Sequence, residues 1–288
     1  MHISTLISVE ELQTLLGAPH VRLFDCRFNL ADPVAGRSAW QQERLPGALH
    51  ADMERDLSLP HRPGQSGRHP LPERSAWVDR VGAWGILPTD LVVCYDDAGG
   101  AGAARLWWML LWAGHASVVV LDGGIQAWKA AGGALDTTQP GPAAWPASCF
   151  AAGESLTRLV DASALVETVA LDPAPQLLLD ARDRARFAGE VEPIDPVAGH
   201  IPRTQCSPWT ENLQADGRFK NPQALREKFA SALHSELPVV CYCGSGVTAC
   251  HNILAMVHAG FPMPALYAGS WSEWITDPAR AVATGAGS

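Results

Sequence analysis

The stretch VVCYCGSGVTACHNILAM, Val239–Met256, decides the fold, because a strand, a glycine-bracketed loop and a helix follow one another within it. The apolar run LPVVCY predicts a strand that ends at Cys243, and VTACHNILAMVHAG predicts a helix that begins a few residues later. Ligands of open parallel sheets bind beyond the carboxyl ends of strands, where loops lead into helices. Cys243 therefore lies at a predicted site, whereas Cys241 lies inside the strand and is predicted to be a buried structural thiol.

The two glycines of the loop favour the binding of an anion. Gly244 and Gly246 allow the backbone to curl so that successive N–H groups point inward, and the start of the helix adds its positive dipole end. For a cysteine at the entrance of such a pocket, the resident anion can be its own thiolate, which is the nucleophilic form of the side chain. The loop thus predicts a nucleophilic Cys243. A glycine turn that carries an incidental thiol is the alternative.

The chain repeats itself, because four short segments recur in the same order in its two halves. CYDD follows LVV just as CYCG follows PVV, and WAGHASVVVLDGGIQAW aligns without gaps with HAGFPMPALYAGSWSEW. Farther upstream, LFDCR resembles LLDAR, and RLPGA resembles HIPRT. Such self-similarity indicates two copies of one structural unit. In the first copy Asp96 stands where Cys243 stands in the second, so only one copy keeps the thiol.

Each copy is predicted to be an α/β domain. Short aliphatic runs such as LVVCY alternate with helical stretches such as NPQALREKFASALHS, residues 221–235, which predicts a parallel sheet flanked by helices on both faces. Between the copies, the segment Asp136–Phe150 is rich in Pro, Thr and Ser and is typical of a linker. We expect a first domain over residues 1–138, a linker over 139–154 and a second domain over 155–288.

Composition narrows the class of protein. A chain of 288 residues with 47% hydrophobic residues, 18% charged residues and a formal net charge of -9 is typical of a globular protein with an acidic surface. Nucleic acid is not an expected partner, because it requires clustered Lys and Arg, and neither a signal peptide nor a membrane span is predicted. Seven irregularly spaced cysteines favour free thiols in a reducing cytoplasm. The sequence predicts no metal site and no cofactor.

Several motifs together resemble the rhodanese superfamily, specifically its tandem-domain sulfurtransferases. They span nearly the whole chain and read LFDCR, RLPGALHADM, RLWWML, LDGGIQAW, DARDRARFAGE, GHIP, CGSGVT and YAGSWSEW. In that family the catalytic cysteine lies in the C-terminal domain and the N-terminal domain is inactive. The loop CGSGVT, Cys243–Thr248, resembles that of 3-mercaptopyruvate sulfurtransferases, whereas thiosulfate-preferring rhodaneses carry basic residues directly after the cysteine.

The resemblance implies a two-step exchange through a persulfide on Cys243. Sulfane sulfur passes from 3-mercaptopyruvate to the cysteine, and then to a thiol acceptor such as thioredoxin or glutathione, or to cyanide. Covalent splitting of one reaction into two steps predicts ping-pong kinetics. The alternatives are a thiosulfate:cyanide sulfurtransferase and a non-catalytic module that carries sulfur or binds a partner.

The resemblance also assigns roles to individual residues. Ser245 matches the serine of the family's loop, His69 in RHPLP matches a histidine that helps to move a proton, and Glu54 in ADMERD matches an acidic residue that completes this relay. Arg186 in RARFAGE matches an arginine that binds the donor's carboxylate, for which a guanidinium is well suited. The remaining predicted substrate contacts belong to the loop, at Gly244, Gly246, Val247 and Thr248.

The sequence departs from the family pattern at two positions. A second carboxylate-binding arginine is expected shortly after EP, and Ile194 stands there. Arg203 replaces a glycine of the family's HIPG motif, where it either strains the turn or adds positive charge near the site. A cysteine phosphatase would need an arginine six residues after the cysteine, and that residue is Ala249. A redox pair of Cys241 and Cys243 stays open as a minor alternative.

Overall fold

A computed structural model describes residue 3 and residues 5–141, 145–230 and 237–286. The chain forms two compact units. The first unit comprises Met1–Leu59, Leu71–Leu156 and Ala215–Phe219, and the second comprises Pro60–Pro70, Thr157–Gln214 and Lys220–Ser288. By its contacts the segment Pro60–Pro70 therefore belongs to the second unit, although it lies within the predicted first domain. The exact boundaries at 138/139 and 154/155 stay a prediction.

The first unit is built on a five-stranded parallel sheet in the order β1-β5-β4-β2-β3. Its strands are β1 (Leu6–Ile7), β2 (Val21–Asp25), β3 (Leu49–His50), β4 (Leu91–Tyr95) and β5 (Val118–Leu121). Its helices are α1 (Val9–Leu15), α2 (Ala35–Gln42), α3 (Arg74–Ala83), α4 (Ala101–Trp112) and α5 (Gly124–Ala130).

Both faces of this sheet are buried, as its aliphatic strands predict. Every residue of β2 is buried, although successive strand residues point to opposite faces. Leu23 packs in one cluster with Leu12 of α1 and Trp128 of α5. On the opposite face, Phe24 meets the ring of Trp84, at the end of α3, with centroids 4.8 Å apart. Helices thus cover both faces, which confirms the predicted α/β architecture.

The second unit repeats this design with the sheet order β6-β10-β9-β7-β8, again all parallel. Its strands are β6 (Arg158–Val160), β7 (Leu177–Asp180), β8 (Thr204–Cys206), β9 (Val239–Tyr242) and β10 (Ala265–Tyr267). Its helices are α6 (Ala162–Ala170), α7 (Arg184–Ala188), α8 (Pro222–Ala230), α9 (Thr248–His258) and α10 (Ser270–Trp274), with a 3-10 turn at Trp209–Asn212. Residues 231–235 of the predicted helix 221–235 lie outside the described residues. Across the described ranges, the helices are all too short or too polar to cross a bilayer.

Strand β9 places the two neighbouring cysteines in different surroundings. Val240 and Tyr242 belong to the core cluster that contains Trp271, so the side chain of Cys241 points to the opposite face. Cys241 is fully buried there, and this burial raises the pKa of its thiol far above the ordinary value. Cys243 follows the last residue of β9 and stands at the carboxyl edge of the sheet.

Candidate functional site

The sulfur of Cys243 is held by polar groups. Its Sγ accepts a hydrogen bond from the backbone N–H of Gly246 at 3.1 Å, and the hydroxyl oxygen of Ser270 lies 4.0 Å away. The backbone N–H of Cys243 donates to Ser270 Oγ at 3.0 Å, and its carbonyl accepts from the N–H of Trp271 at 2.9 Å. The residue is only 2% exposed. The start of α10 therefore fixes the backbone of Cys243, while the loop supplies a donor to its sulfur.

The loop Cys243–Thr248 requires its two glycines for steric reasons. Gly246 has φ +80°, and a Cβ atom there would lie 2.3 Å from the carbonyl oxygen of Ala268. A Cβ atom on Gly244 would lie 2.7 Å from Nη2 of Arg68. Val247 precedes α9 and is buried, whereas Thr248 is the first residue of that helix and is half-buried. Of the predicted loop contacts, Gly246 reaches the sulfur of Cys243 through its N–H, and the roles of Gly244, Val247 and Thr248 stay predictions.

In the first unit, the loop that corresponds to Cys243–Thr248 binds a carboxylate through its backbone amides. The carboxylate of Asp96 accepts four backbone N–H groups at 2.8 to 2.9 Å, those of Ala98, Gly100, Gly102 and Ala103. These amides surround an anion that extends from the end of a strand into the following loop. Because β4 and β9 occupy the same place in their sheets, Cys243 is the second unit's counterpart of this anion.

The structure brings Ser245 and His69 together, and both are residues to which the resemblance assigns roles. The Nδ1 atom of His69 lies 2.8 Å from Ser245 Oγ, and the two residues are 2% and 7% exposed. His69 belongs to the segment Pro60–Pro70, which is part of the second unit. Glu54 lies in the first unit, half-buried, and its N–H donates to Asp52 Oδ1 at 3.0 Å. Its place in a proton relay stays a prediction.

Arg186 carries two ion pairs. Its guanidinium donates to Glu192 Oε1 at 2.7 Å and to Asp195 Oδ2 at 3.2 Å, and its side chain is 13% exposed. Although burial opposes ionisation, hydrogen bonds from Arg186 and from backbone amides lower the pKa of Glu192. Both guanidinium Nη atoms lie 3.7 Å from the position of a Cβ atom on Gly244. Arg186 therefore reaches the residue next to Cys243.

Sequence reasoning missed Arg68, which reaches the same point. Its guanidinium pairs with Asp195, and its backbone N–H donates to Ser272 Oγ at 3.0 Å. The sequence signal was its position directly before His69 in RHPLP. That signal alone does not place Arg68 beside Gly244, because the segment lies within the predicted first domain while its contacts join it to the second unit.

Arg203 lies at the amino ends of the strands, whereas Cys243 lies at their carboxyl ends. It precedes β8, whose first residue pairs with Leu178 near the start of β7. Its φ is +61°, and its guanidinium donates to the carbonyl of Leu171 and to Asp172 Oδ1, the latter at 2.8 Å. Arg203 therefore strains its turn and adds no charge near the cysteine, which decides between the two sequence interpretations.

Three alternative site chemistries, those of a phosphatase, a metal site and a redox pair of cysteines, can be compared with the structure. Ala249 is fully buried in α9, so the position that a phosphatase would use for its arginine carries only a methyl group. Within the ranges that the structure describes, His, Cys, Asp and Glu side chains form no group of three placed to hold a metal ion. Cys241 and Cys243 are free thiols.

Ser270 provides a first prediction, because its backbone is strained. Its φ is +56°, whereas Gly124 holds the corresponding place in the first unit with φ +57°. Left-handed backbone costs a non-glycine residue about 1–2 kcal/mol. We expect Ser270→Gly to leave the stability nearly unchanged, because strain relief offsets the loss of two hydrogen bonds of about 1 kcal/mol each, one that Ser270 Oγ accepts from the N–H of Cys243 and one that it donates to the carbonyl of Tyr267.

Although Ser270→Gly should leave the stability nearly unchanged, we expect it to lower the reactivity of Cys243. Iodoacetamide should alkylate Cys243 about fivefold more slowly in Ser270→Gly. This factor corresponds to the loss of the hydrogen bond that Ser270 Oγ accepts from the backbone N–H of Cys243. Ser270→Ala should show the same slowing together with a lower melting temperature, since it retains the strained φ. Peptide mass spectrometry measures the alkylation rate, and a wild-type rate in both variants would contradict a positioning role for the hydroxyl.

Comparisons with known proteins agree with this arrangement. The family model described as rhodanese-like domain matches residues 8–131 and 162–277. A Pseudomonas aeruginosa protein named "Probable 3-mercaptopyruvate sulfurtransferase" is 50% identical over 99% of this chain and 100% of its own length. The thiosulfate sulfurtransferase of Mus musculus is 32% identical over 95% of this chain and 91% of its own. The solved 3-mercaptopyruvate sulfurtransferase from Leishmania major has a TM-score of 0.81 and 33% identity, and covers 94% of this chain and 74% of its own. The chain therefore belongs to the rhodanese-like domain family and carries two copies of that domain.

Proposed function

We propose that the protein is a sulfurtransferase that moves sulfane sulfur from 3-mercaptopyruvate to a thiol or to cyanide through a persulfide on Cys243. The observation that carries this proposal is the hydrogen bond from the Gly246 amide to Cys243 Sγ, at the carboxyl end of the central strand β9. The relative named as a 3-mercaptopyruvate sulfurtransferase at 50% identity supports the same donor.

The first half-reaction transfers one sulfur atom. The Cys243 thiolate attacks the sulfur of the donor, a sulfur–sulfur bond forms, and the carbon–sulfur bond breaks with its electron pair left on carbon. Pyruvate departs as its enolate, and the proton of the donor thiol ends on the enolate carbon. The Nδ1 atom of His69 lies 2.8 Å from the hydroxyl oxygen of the loop residue Ser245, so this pair is suited to carry the proton. Glu54 is proposed to complete the relay.

The second half-reaction regenerates the thiolate. A thiolate acceptor, such as that of thioredoxin or glutathione, or cyanide attacks the outer sulfur of the persulfide, and Cys243 leaves as the thiolate. Free thiols in the chain and a thiol acceptor both suit a reducing compartment, so we place this reaction in the cytoplasm. The two half-reactions predict ping-pong kinetics.

The loop amides are proposed to hold the persulfide. A persulfide extends two atoms beyond Cβ, as the carboxylate of Asp96 does in the first unit. There, the amides of Ala98 and Gly100 donate to the carboxylate at 2.9 Å. The corresponding amides of the second unit belong to Ser245 and Val247. Donors fixed in advance stabilise the outer sulfur's charge without reorganisation.

Thiosulfate is the second candidate donor. The loop carries no basic residue directly after Cys243, which favours a monocarboxylate. Two guanidinium groups nevertheless lie beside Gly244, those of Arg68 and Arg186, and such a pair also suits a dianion. A side-by-side assay of pyruvate release from 3-mercaptopyruvate and sulfite release from thiosulfate decides between the two donors.

The same assay tests the role of Arg186. We expect Arg186→Ala to raise KM for 3-mercaptopyruvate about 10- to 100-fold, because a charge-assisted hydrogen bond to the carboxylate is lost. Arg184→Ala is the matched control, since Arg184 lies on the same helix, its side chain is 66% exposed, and its ion pair among the described residues is with Glu211 at the surface. An unchanged KM in Arg186→Ala, or sulfite release that far exceeds pyruvate release in the wild type, would contradict the proposal.

A further inference from the structure

We infer that Cys250 is a positioning residue of the reactive loop, whose thiol orients the Val247 amide towards the outer sulfur of a persulfide on Cys243. This inference rests on the proposed function, in which that persulfide forms. Cys250 lies in the first turn of α9 and is fully buried. Donor and acceptor molecules therefore do not reach its sulfur, and its effect on the reaction has to pass through the loop.

The thiol of Cys250 binds a carbonyl group of the loop. Its S–H donates to the carbonyl oxygen of Gly246, and the sulfur and oxygen atoms are 3.3 Å apart. An S–H group is a weak donor, but a hydrogen bond in a buried environment is electrostatically stronger than one in water. The backbone N–H of Cys250 donates to the carbonyl of Val247 at 3.1 Å. One residue of α9 thus binds two consecutive carbonyl groups of the loop.

The contact from the thiol fixes the plane of the Gly246–Val247 peptide. This peptide bond is trans, so its carbonyl and its N–H point in opposite directions. Because Cys250 holds the carbonyl towards α9, the N–H of Val247 is directed away from the Cys250 thiol. The N–H of Gly246, which donates to Cys243 Sγ at 3.1 Å, belongs to the preceding peptide. The two amides thus lie in two separate rigid planes, and the Cys250 thiol holds the second of them.

The loop of the first unit indicates what the Val247 amide meets. Gly100 occupies the corresponding place, four residues after Asp96, and its N–H donates to Asp96 Oδ1 at 2.9 Å. One residue earlier, Gly99 and Gly246 share a left-handed backbone, with φ +67° and +80°. The two loops therefore turn in the same way before this amide. The outer sulfur of a persulfide lies two bonds beyond Cβ, as Oδ1 of Asp96 does, so the Val247 amide is placed to bind it.

The two copies of the loop differ at the position of this thiol. Ala103, seven residues after Asp96, is fully buried like Cys250 but carries only a methyl group. In the first unit the carboxylate is a permanent part of the chain and binds the loop amides itself. In the second unit the outer sulfur is present during only part of the reaction cycle, so another group has to hold the amide in place between turnovers. Cys250 supplies that group, and an amide fixed in advance needs no reorganisation when the persulfide forms.

The test compares the persulfide with the resting thiol of Cys243. Inorganic polysulfide loads the persulfide without 3-mercaptopyruvate, because the Cys243 thiolate takes one sulfur atom and the polysulfide leaves one sulfur shorter. Alkylation by iodoacetamide over a range of pH, followed by peptide mass spectrometry, gives the pH at which each species reaches half of its maximal rate. The alkylated persulfide is heavier by one sulfur atom, so the two species are measured separately.

We expect Cys250→Ala to raise the half-maximal pH of the persulfide by about one unit, because an amide that stabilises the charged outer sulfur is no longer held in place. The half-maximal pH of the resting thiol should stay unchanged, since the N–H of Gly246 belongs to the other peptide. Cys250→Ser restores a donor and should return the persulfide close to its wild-type value. Cys241→Ala is the matched control, because it removes another fully buried thiol of the same unit, and it should change neither value.

Three outcomes would overturn the inference: an unchanged persulfide profile in Cys250→Ala, an equal shift of the persulfide and the resting thiol, or a Cys250→Ser variant that behaves like Cys250→Ala. An equal shift would indicate a general distortion of the loop. Ala103 shows that a methyl group at this helix position is compatible with such a loop, so the alanine variant should fold. Failure of the proposed function looks different, because a wild type that releases no pyruvate can still carry a polysulfide-loaded persulfide whose profile depends on Cys250.

Discussion

Cys243→Ser abolishes sulfur transfer in our account, whereas Cys241→Ser leaves most of it. A hydroxyl is a far weaker nucleophile than a thiolate and cannot form a persulfide, so we expect pyruvate release to fall by about four orders of magnitude or more. The two cysteines are matched controls, because they stand one residue apart and differ only in surroundings. The Sγ atom of Cys243 accepts a hydrogen bond from the Gly246 amide, whereas Cys241 is fully buried within β9.

Cys241→Ser should act on stability instead. A hydroxyl without a partner in an apolar environment costs about 1–3 kcal/mol, which lowers the melting temperature while the folded fraction retains its turnover. Pyruvate release per folded molecule, with thermal unfolding measured in parallel, separates the two effects. An equal loss of turnover in both variants would contradict the assignment of the nucleophile.

Gly246→Ala should cause the second-largest loss. A Cβ atom at this position would lie 2.3 Å from the carbonyl oxygen of Ala268, so the loop must shift and carry its N–H away from Cys243 Sγ. Displacement of catalytic groups by about 1 Å costs roughly 100-fold in rate. We therefore expect turnover to fall at least about 100-fold, and the crowding to destabilise the second unit by about 1–3 kcal/mol.

Gly47→Ala is the matched control for this substitution. Gly47 has φ +79°, nearly the same as Gly246, but no described atom lies within 4 Å of a Cβ atom built there. Both variants carry the same backbone strain of about 1–2 kcal/mol, and only Gly246→Ala carries the collision. Turnover should remain at the wild-type level in Gly47→Ala. A similar loss in both variants would show that the positive φ, and not the contact with Ala268, explains the defect.

The repeated segments allowed most of the fold to be predicted. Aliphatic runs at regular positions, such as LVVCY and LPVVCY, determine buried parallel strands because no polar face is available to them. The loop after β9 was predicted from its two glycines and from the helix that follows. The anion-binding geometry of the first unit's loop was not predicted, because four separate amides meet the Asp96 carboxylate only after the loop has folded.

Arg68 and Arg203 show where sequence reasoning stops. Arg68 contacts Asp195 and Ser272, which are distant in sequence, and no local sequence pattern predicts such contacts. The sequence leaves two interpretations of Arg203 open, a strained turn or a positive charge near the site. The strand register places Arg203 at the amino ends of the strands, whereas Cys243 lies at their carboxyl ends. The residue type alone predicts that the side chain is charged, whereas only the tertiary structure determines which group that side chain contacts.

The most direct measurement is the mass of the protein after reaction with 3-mercaptopyruvate in the absence of an acceptor. We expect a gain of one sulfur atom, located by peptide mass spectrometry on Cys243 and removed by cyanide with release of thiocyanate. Cys243→Ser should gain no sulfur, and Cys241→Ser should gain it as the wild type does. Sulfur bound at another cysteine, or pyruvate release without any gain of sulfur at Cys243, would contradict the account.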